Sequence, residues 1–98
     1  MNRNTIIREI LRFIQEHGGL DGSWYVGTSQ DARVSLFSDH HVSESEGAWV
    51  FKVADSFLAA RQVEDYFVNN FRTDGPPRRT DLFATHVYAY KKTNGTKP

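Results

Sequence analysis

The sequence predicts a small α+β domain in which a three-stranded, mostly antiparallel sheet is flanked by helices. Three observations carry that expectation. Two runs place apolar residues at helical spacing, three short runs are rich in aromatic and β-branched residues, and Gly, Pro, Asp and Ser cluster between them. A chain of 98 residues is one domain, since at that length folding buries only about two-thirds of the surface the unfolded chain exposes and no second core is available. Seven Phe, four Tyr and two Trp let that core be built from few, large side chains.

The first helix is read over residues 5–17. Ile6, Ile7, Ile10, Leu11 and Ile14 form its apolar stripe, and Arg8, Glu9, Arg12 and Glu16 fill the other side. Asn4 is the expected N-cap, and Gly18 and Gly19 end the helix by entering the left-handed region. Trp24-Tyr25-Val26-Gly27-Thr28 reads as the first strand. After a turn at Ser29-Gln30-Asp31 comes a short helical pattern that turns Ala32 and Leu36 inward, with Val34 and Phe37 as further candidates. Residues 42–47 are loop-like. Trp49-Val50-Phe51-Lys52-Val53 is a second strand whose near-continuous apolar character predicts the centre of the sheet. Asp55-Ser56 cap a helix over residues 57–71, with Ala60, Val63, Phe67 and Phe71 on its inner side. Residues 72–81 hold a glycine and two prolines and read as an exposed loop. Residues 84–92 form the third strand, with His86, Tyr88 and Tyr90 on one face and Val87 and Ala89 on the other. The chain beyond Thr93 is expected to fray.

No cysteine is present, which excludes disulfides, thiolate zinc sites and a cysteine nucleophile. The N-terminal residues lack the unbroken apolar run of a signal peptide or membrane span, so a cytoplasmic location without membrane contact is expected. Twelve basic residues balance twelve acidic ones, but unevenly: from Asp31 to Asp65 acids exceed bases by four, and from Arg72 onward bases exceed acids by four. Such a basic segment either attracts the phosphates of DNA or is solvated and complements the acidic half.

The run Trp24-Tyr25-Val26-Gly27-Thr28, followed by Asp31, Leu36 and His40, resembles the second motif of the GIY-YIG nuclease superfamily. The resemblance covers residues 23–42 and, more loosely, the helix around Glu64. It implies a metal-dependent phosphodiester hydrolase acting on DNA. Such chemistry needs an activated water, a divalent ion and a cation facing the developing charge. By resemblance Tyr25 stands near the nucleophilic water, Gly27 keeps the backbone clear for substrate, and Glu64 holds the metal. A lone carboxylate surrounded by water is the habit of Mg2+ rather than zinc. His40, Arg78 and Arg79 fall on the substrate side of this reading.

Two departures qualify it. Ser35 stands where the family carries its arginine; Arg33, on the far side of the same short helix, and Arg61, one turn before Glu64, are the candidate substitutes. The family's first tyrosine strand is also missing upstream of Tyr25. Val87-Tyr88-Ala89-Tyr90 has its character, so a rearranged chain in which the C-terminal strand pairs beside Tyr25 would supply the tyrosine from Tyr88 or Tyr90. The alternative is a catalytically inactive descendant that binds nucleic acid or a protein partner. Each residue also has a plainer reading: Tyr25 as a core residue with its hydroxyl at the rim, Glu64 as a surface helical glutamate, Arg78 and Arg79 as solvated charges. Oligomeric state is not legible in the sequence.

Overall fold

The computed structural model describes residues 1–71, 73–75 and 83–98. Helix α1 (Arg3–Glu16) leads into strand β1 (Trp24–Ser29), a short π-helix (Val34–Asp39), strand β2 (Trp49–Val53), helix α2 (Phe57–Asn70) and strand β3 (His86–Lys91). The three strands form an antiparallel sheet in the order β1-β3-β2. The chain thus has the expected α+β class, but the expected centre was wrong. β2 lies at an edge, and the C-terminal strand inserts between it and β1. An apolar strand records that its faces are covered; it does not record which strand lies on either side.

Helix α1 starts two residues earlier than its pattern predicts, because Asn2 rather than Asn4 caps it: the Asn2 side chain accepts from the Thr5 backbone N–H at 2.8 Å. Gly18 (φ 109°) and Gly19 (φ 84°) then close it, and the Gly19 N–H reaches the Ile14 carbonyl at 2.9 Å. Helix α2 begins as its sequence indicates, with the Ser56 hydroxyl accepting from the Ala59 N–H at 3.1 Å. Ile6, Ile10 and Ile14 of α1 and Ala60, Val63 and Phe67 of α2 pack with Trp24, Val26, Val87 and Ala89, which share one face of the sheet. On the other face Tyr25, Tyr88 and Tyr90 pack with Ala32, Leu36 and Val42, so the π-helix and the chain after it form the second cover. Val34, a candidate for the inner side, is exposed.

The free edge of β1 is closed by a single parallel bridge. Val26 donates to the Asp74 carbonyl and Asp74 to the Trp24 carbonyl, both at 2.9 Å. No helix among the described residues is long and apolar enough to cross a membrane.

Candidate functional site

The register of β1 on β3 sets Tyr25 opposite Tyr90 and Gly27 opposite Tyr88. Residues directly opposite in an antiparallel pair project to the same face, as do residues two apart on one strand. Tyr25, Tyr88 and Tyr90 therefore converge, and the C-terminal strand does lie beside Tyr25. The Tyr25 ring stacks on those of Tyr90 (centroids 5.2 Å apart) and Tyr88 (6.2 Å).

Gly27 is what lets Tyr88 lie there. A Cβ on Gly27 would stand 2.6 Å from the Tyr88 hydroxyl oxygen and 2.8 Å from Cζ, closer than any real contact. The space that the resemblance assigns to substrate is filled by the Tyr88 ring.

His40 completes the cluster from the end of the π-helix. Its ring lies 4.6 Å from that of Tyr25. Nδ1 is 2.7 Å from the Lys97 carbonyl oxygen, and Nε2 is 2.8 Å from the Tyr88 hydroxyl. A carbonyl can only accept, so Nδ1 carries the proton and donates; in the neutral ring Nε2 then accepts from Tyr88. The Tyr90 hydroxyl lies 3.1 Å from Nδ1, within reach of the same N–H. Lys97 also donates its backbone N–H to the His40 carbonyl at 2.7 Å, so the two residues clasp each other. The Tyr25 and Tyr88 hydroxyls are close enough to act on one another. A polar chain thus runs from Tyr88 through His40 to the Lys97 carbonyl, with the Tyr25 ring stacked against it.

The phenols are inside the protein: Tyr25 is 5 % and Tyr88 4 % exposed. Burial first, and the Glu64 carboxylate second, push the Tyr25 phenol up to about 12. Burial and then the neighbouring Tyr25 push Tyr88 up as well, and Tyr90 shifts the same way for the same causes. A phenol held this firmly in its neutral form donates or orients a hydrogen bond and does not serve as a base at neutral pH.

Glu64 sits on the buried stripe of α2 with Ala60, Val63 and Phe67, only 3 % exposed, and its charge acts on both Tyr25 and Tyr88. It is not a surface glutamate. As a magnesium ligand it fits poorly. Mg2+ bound through one or two carboxylates keeps several waters, and an almost fully buried carboxylate leaves no room for them. Among the described residues no group of three or more His, Cys, Asp or Glu side chains is placed to hold a metal.

Ser35 donates its hydroxyl to that of Ser29 at 2.7 Å, which fastens the π-helix to the end of β1. The short helix is irregular, as a substitution by Arg33 requires, yet Arg33 turns away from Tyr25 toward the β2 edge of the same face. It pairs with Glu44 at 3.3 Å and lies 5.7 Å and 5.6 Å from the ring centroids of Trp49 and Phe51 on β2, its side chain 57 % exposed. Arg61 is half-buried on α2. Arg78 and Arg79 lie outside the described residues. Lys91 and Lys92, which add to the basic C-terminal segment, are engaged internally: Lys91 donates to the His17 carbonyl at 3.3 Å, and Lys92 pairs with Asp74.

Two members of the site gave no signal in the sequence. The Lys97 carbonyl comes from a segment with no pattern of its own, and Asp74, which raises Tyr25 and Tyr90, is placed by the bridge to β1. Comparison with protein-family models, with curated proteins and with solved structures finds no match.

Proposed function

We propose that this chain is a GIY-YIG-like domain with a permuted strand order, in which the nuclease constellation is kept as a closed structural core, and that it works as a non-cleaving binding domain. The observation that carries this reading is the burial of the two tyrosines. Tyr25 and Tyr88 are almost fully buried, Tyr88 spends its hydrogen bond on His40, and the carboxylate that acts on both is itself almost fully buried. A phosphodiester needs access to those groups and a guanidinium opposite them. Gly27 admits only Tyr88, and Ser35 offers a hydroxyl already bonded to Ser29.

The second reading is the Mg2+-dependent hydrolase. Its support is that Tyr25, Tyr88, His40 and Glu64 do converge, although far apart in sequence, as an active site would require. In that reading DNA is the substrate; in the first, DNA or a protein is bound without cleavage, and the excess of basic residues from Arg72 onward is the feature that favours DNA.

The separating experiment incubates the full chain with supercoiled plasmid in magnesium, in manganese and in EDTA, alongside Tyr25→Phe and Glu64→Ala. The proposal expects no metal-dependent nicking by any of the three proteins. Nicking by the parent chain that disappears in both variants would establish the hydrolase. Filter binding of the same DNA across a salt series decides the ligand: affinity that falls steeply with salt supports DNA, and no binding leaves a protein partner.

A further inference from the structure

The two edges of the sheet are treated differently. On β2 the backbone is divided by its pairing with β3. The Ala48 carbonyl accepts from Lys91 at 3.0 Å and the Ala54 N–H donates to Thr85 at 2.8 Å, so residues 48, 50, 52 and 54 face β3. Trp49, Phe51 and Val53 consequently aim their N–H and C=O groups outward. β1 has the Asp74 bridge on its outer side; β2 has, among the described residues, one bond from the Met1 amine to the Val53 carbonyl. An edge with unpaired donors and acceptors is a template for another strand.

Few guards stand on this edge among the described residues, and Met1 covers only its Val53 end. The edge contains no proline and no bulge, and its one charged residue is drawn aside: Lys52 turns into the groove between β2 and α1, where its ammonium stands 3.7 Å from Glu9. Trp49, Phe51 and Val53 also project their side chains to a common face, where Trp49 and Phe51 are half-buried and Val53 is 46 % exposed. Apolar side chains and open backbone groups thus lie on the same residues.

We infer that this edge pairs with the same edge of a second copy of the chain, antiparallel, about a two-fold axis beside Phe51, giving a continuous six-stranded sheet. The register argues for a second copy over an unrelated strand. With the axis at Phe51, Phe51 meets its own counterpart and Trp49 meets Val53 of the other copy. Every outward-facing residue then opposes another outward-facing residue, and each same-face pair is aromatic–aromatic or aromatic–β-branched, the pairs that stabilise sheets. Val50 opposes Lys52 of the other copy. The groove on that side is lined by Glu9, Arg12, Phe13, Glu16, Val50 and Lys52, two acids and two bases, so the seam is self-complementary in charge. A net charge of zero leaves no overall repulsion between copies. The pairing is independent of the nuclease-like reading.

The test is sedimentation equilibrium of the full chain from about 10 μM to about 1 mM, the range in which an interface at the small end of the stable class associates. The average mass is expected to rise from 11.2 kDa toward twice that value. Val53→Pro removes one outward N–H without touching a bond to β3, and should hold the chain monomeric across the same range with an unchanged circular dichroism spectrum. Because the chain has no cysteine, single cysteines report the register. Phe51→Cys should give a disulfide-linked dimer on oxidation, since hydrogen-bonded antiparallel pairs place Cα atoms about 5.5 Å apart. Val53→Cys should not, since the two copies of residue 53 are separated by about 13 Å along the strands. A parent chain that stays monomeric throughout, a Val53→Pro variant that dimerises like the parent, or cross-linking at residue 53 as ready as at residue 51 would each overturn the inference.

Discussion

The two faces of the sheet reach the same degree of burial by different means. Under α1 and α2, Trp24, Val26, Val87 and Ala89 meet Ile, Ala, Val and Phe side chains, and the one polar tip among those four, the Trp24 indole N–H, is satisfied by the Gly19 carbonyl at 3.1 Å. Under the π-helix, Tyr25, Tyr88 and Tyr90 bury large rings, but each carries a hydroxyl, and the face is tenable because His40 accepts from Tyr88 at Nε2 and donates from Nδ1 to the Lys97 carbonyl, with the Tyr90 hydroxyl within reach of that N–H. The first face is held by shape and area. The second is held by shape and by a polar network whose members cannot be removed singly without stranding a neighbour.

That difference predicts a ranked series of effects, each readable as a shift in urea or thermal unfolding. The largest belongs to the apolar face: Phe67→Ala empties a fully buried ring site and should cost about 3–5 kcal/mol. On the tyrosine face, Gly27→Ala drives a methyl into the Tyr88 ring and should cost about 1–3 kcal/mol by overpacking, a loss that pairing with Tyr88→Ala largely removes. His40→Phe keeps the ring volume but strands the Tyr88 hydroxyl and the Lys97 carbonyl; it should cost about 1–3 kcal/mol, less of it in a Tyr88→Phe background. Arg33→Ala removes only an exposed ion pair and a cation set over Trp49 and Phe51, and should cost less than about 1 kcal/mol. A comparable loss at Arg33 and at His40 would break the distinction between a surface charge and a network member.

Much of the fold was legible because its signals are local. Helical periodicity found α1 and α2, the Ser56 cap marked the start of α2, and the limits of β2 match its apolar run. The strand order was not legible. The pattern of Trp49 to Val53 says that both faces are partly covered, and an edge strand between a helix and a loop satisfies that as well as a central one. At α1 two asparagines compete for the cap; Asn2 prevails because its side chain stands three residues before the Thr5 N–H.

In the candidate site, the alternation of Tyr88 and Tyr90 along β3 and the Tyr-Val-Gly run of β1 were sufficient to bring the tyrosines together once the strands were paired. The burial of Glu64 was hidden, since Ala60, Val63 and Phe67 already define a complete apolar stripe and nothing in the sequence says that its fourth member is a carboxylate. The clasp between His40 and Lys97 was equally hidden. It joins residues 57 apart through backbone groups, which carry no sequence identity.

The central claim is that the tyrosine site is closed, and the most direct measurement is a pH titration of the folded chain with carbon-13-labelled tyrosine, following each phenol by NMR and unfolding by circular dichroism. For Tyr25 the folded value lies at about 12 against an ordinary 10.0, so the native state keeps a proton that the unfolded chain has lost between those values. Stability from this source is complete below about pH 10 and disappears as pH rises through about 12. The account predicts that Tyr25, Tyr88 and Tyr90 remain neutral past pH 10 and ionise only as the chain unfolds. A Tyr25 that ionises at or below pH 10 while the fold persists would contradict it, and would mark a phenol open to solvent and free to act as a base.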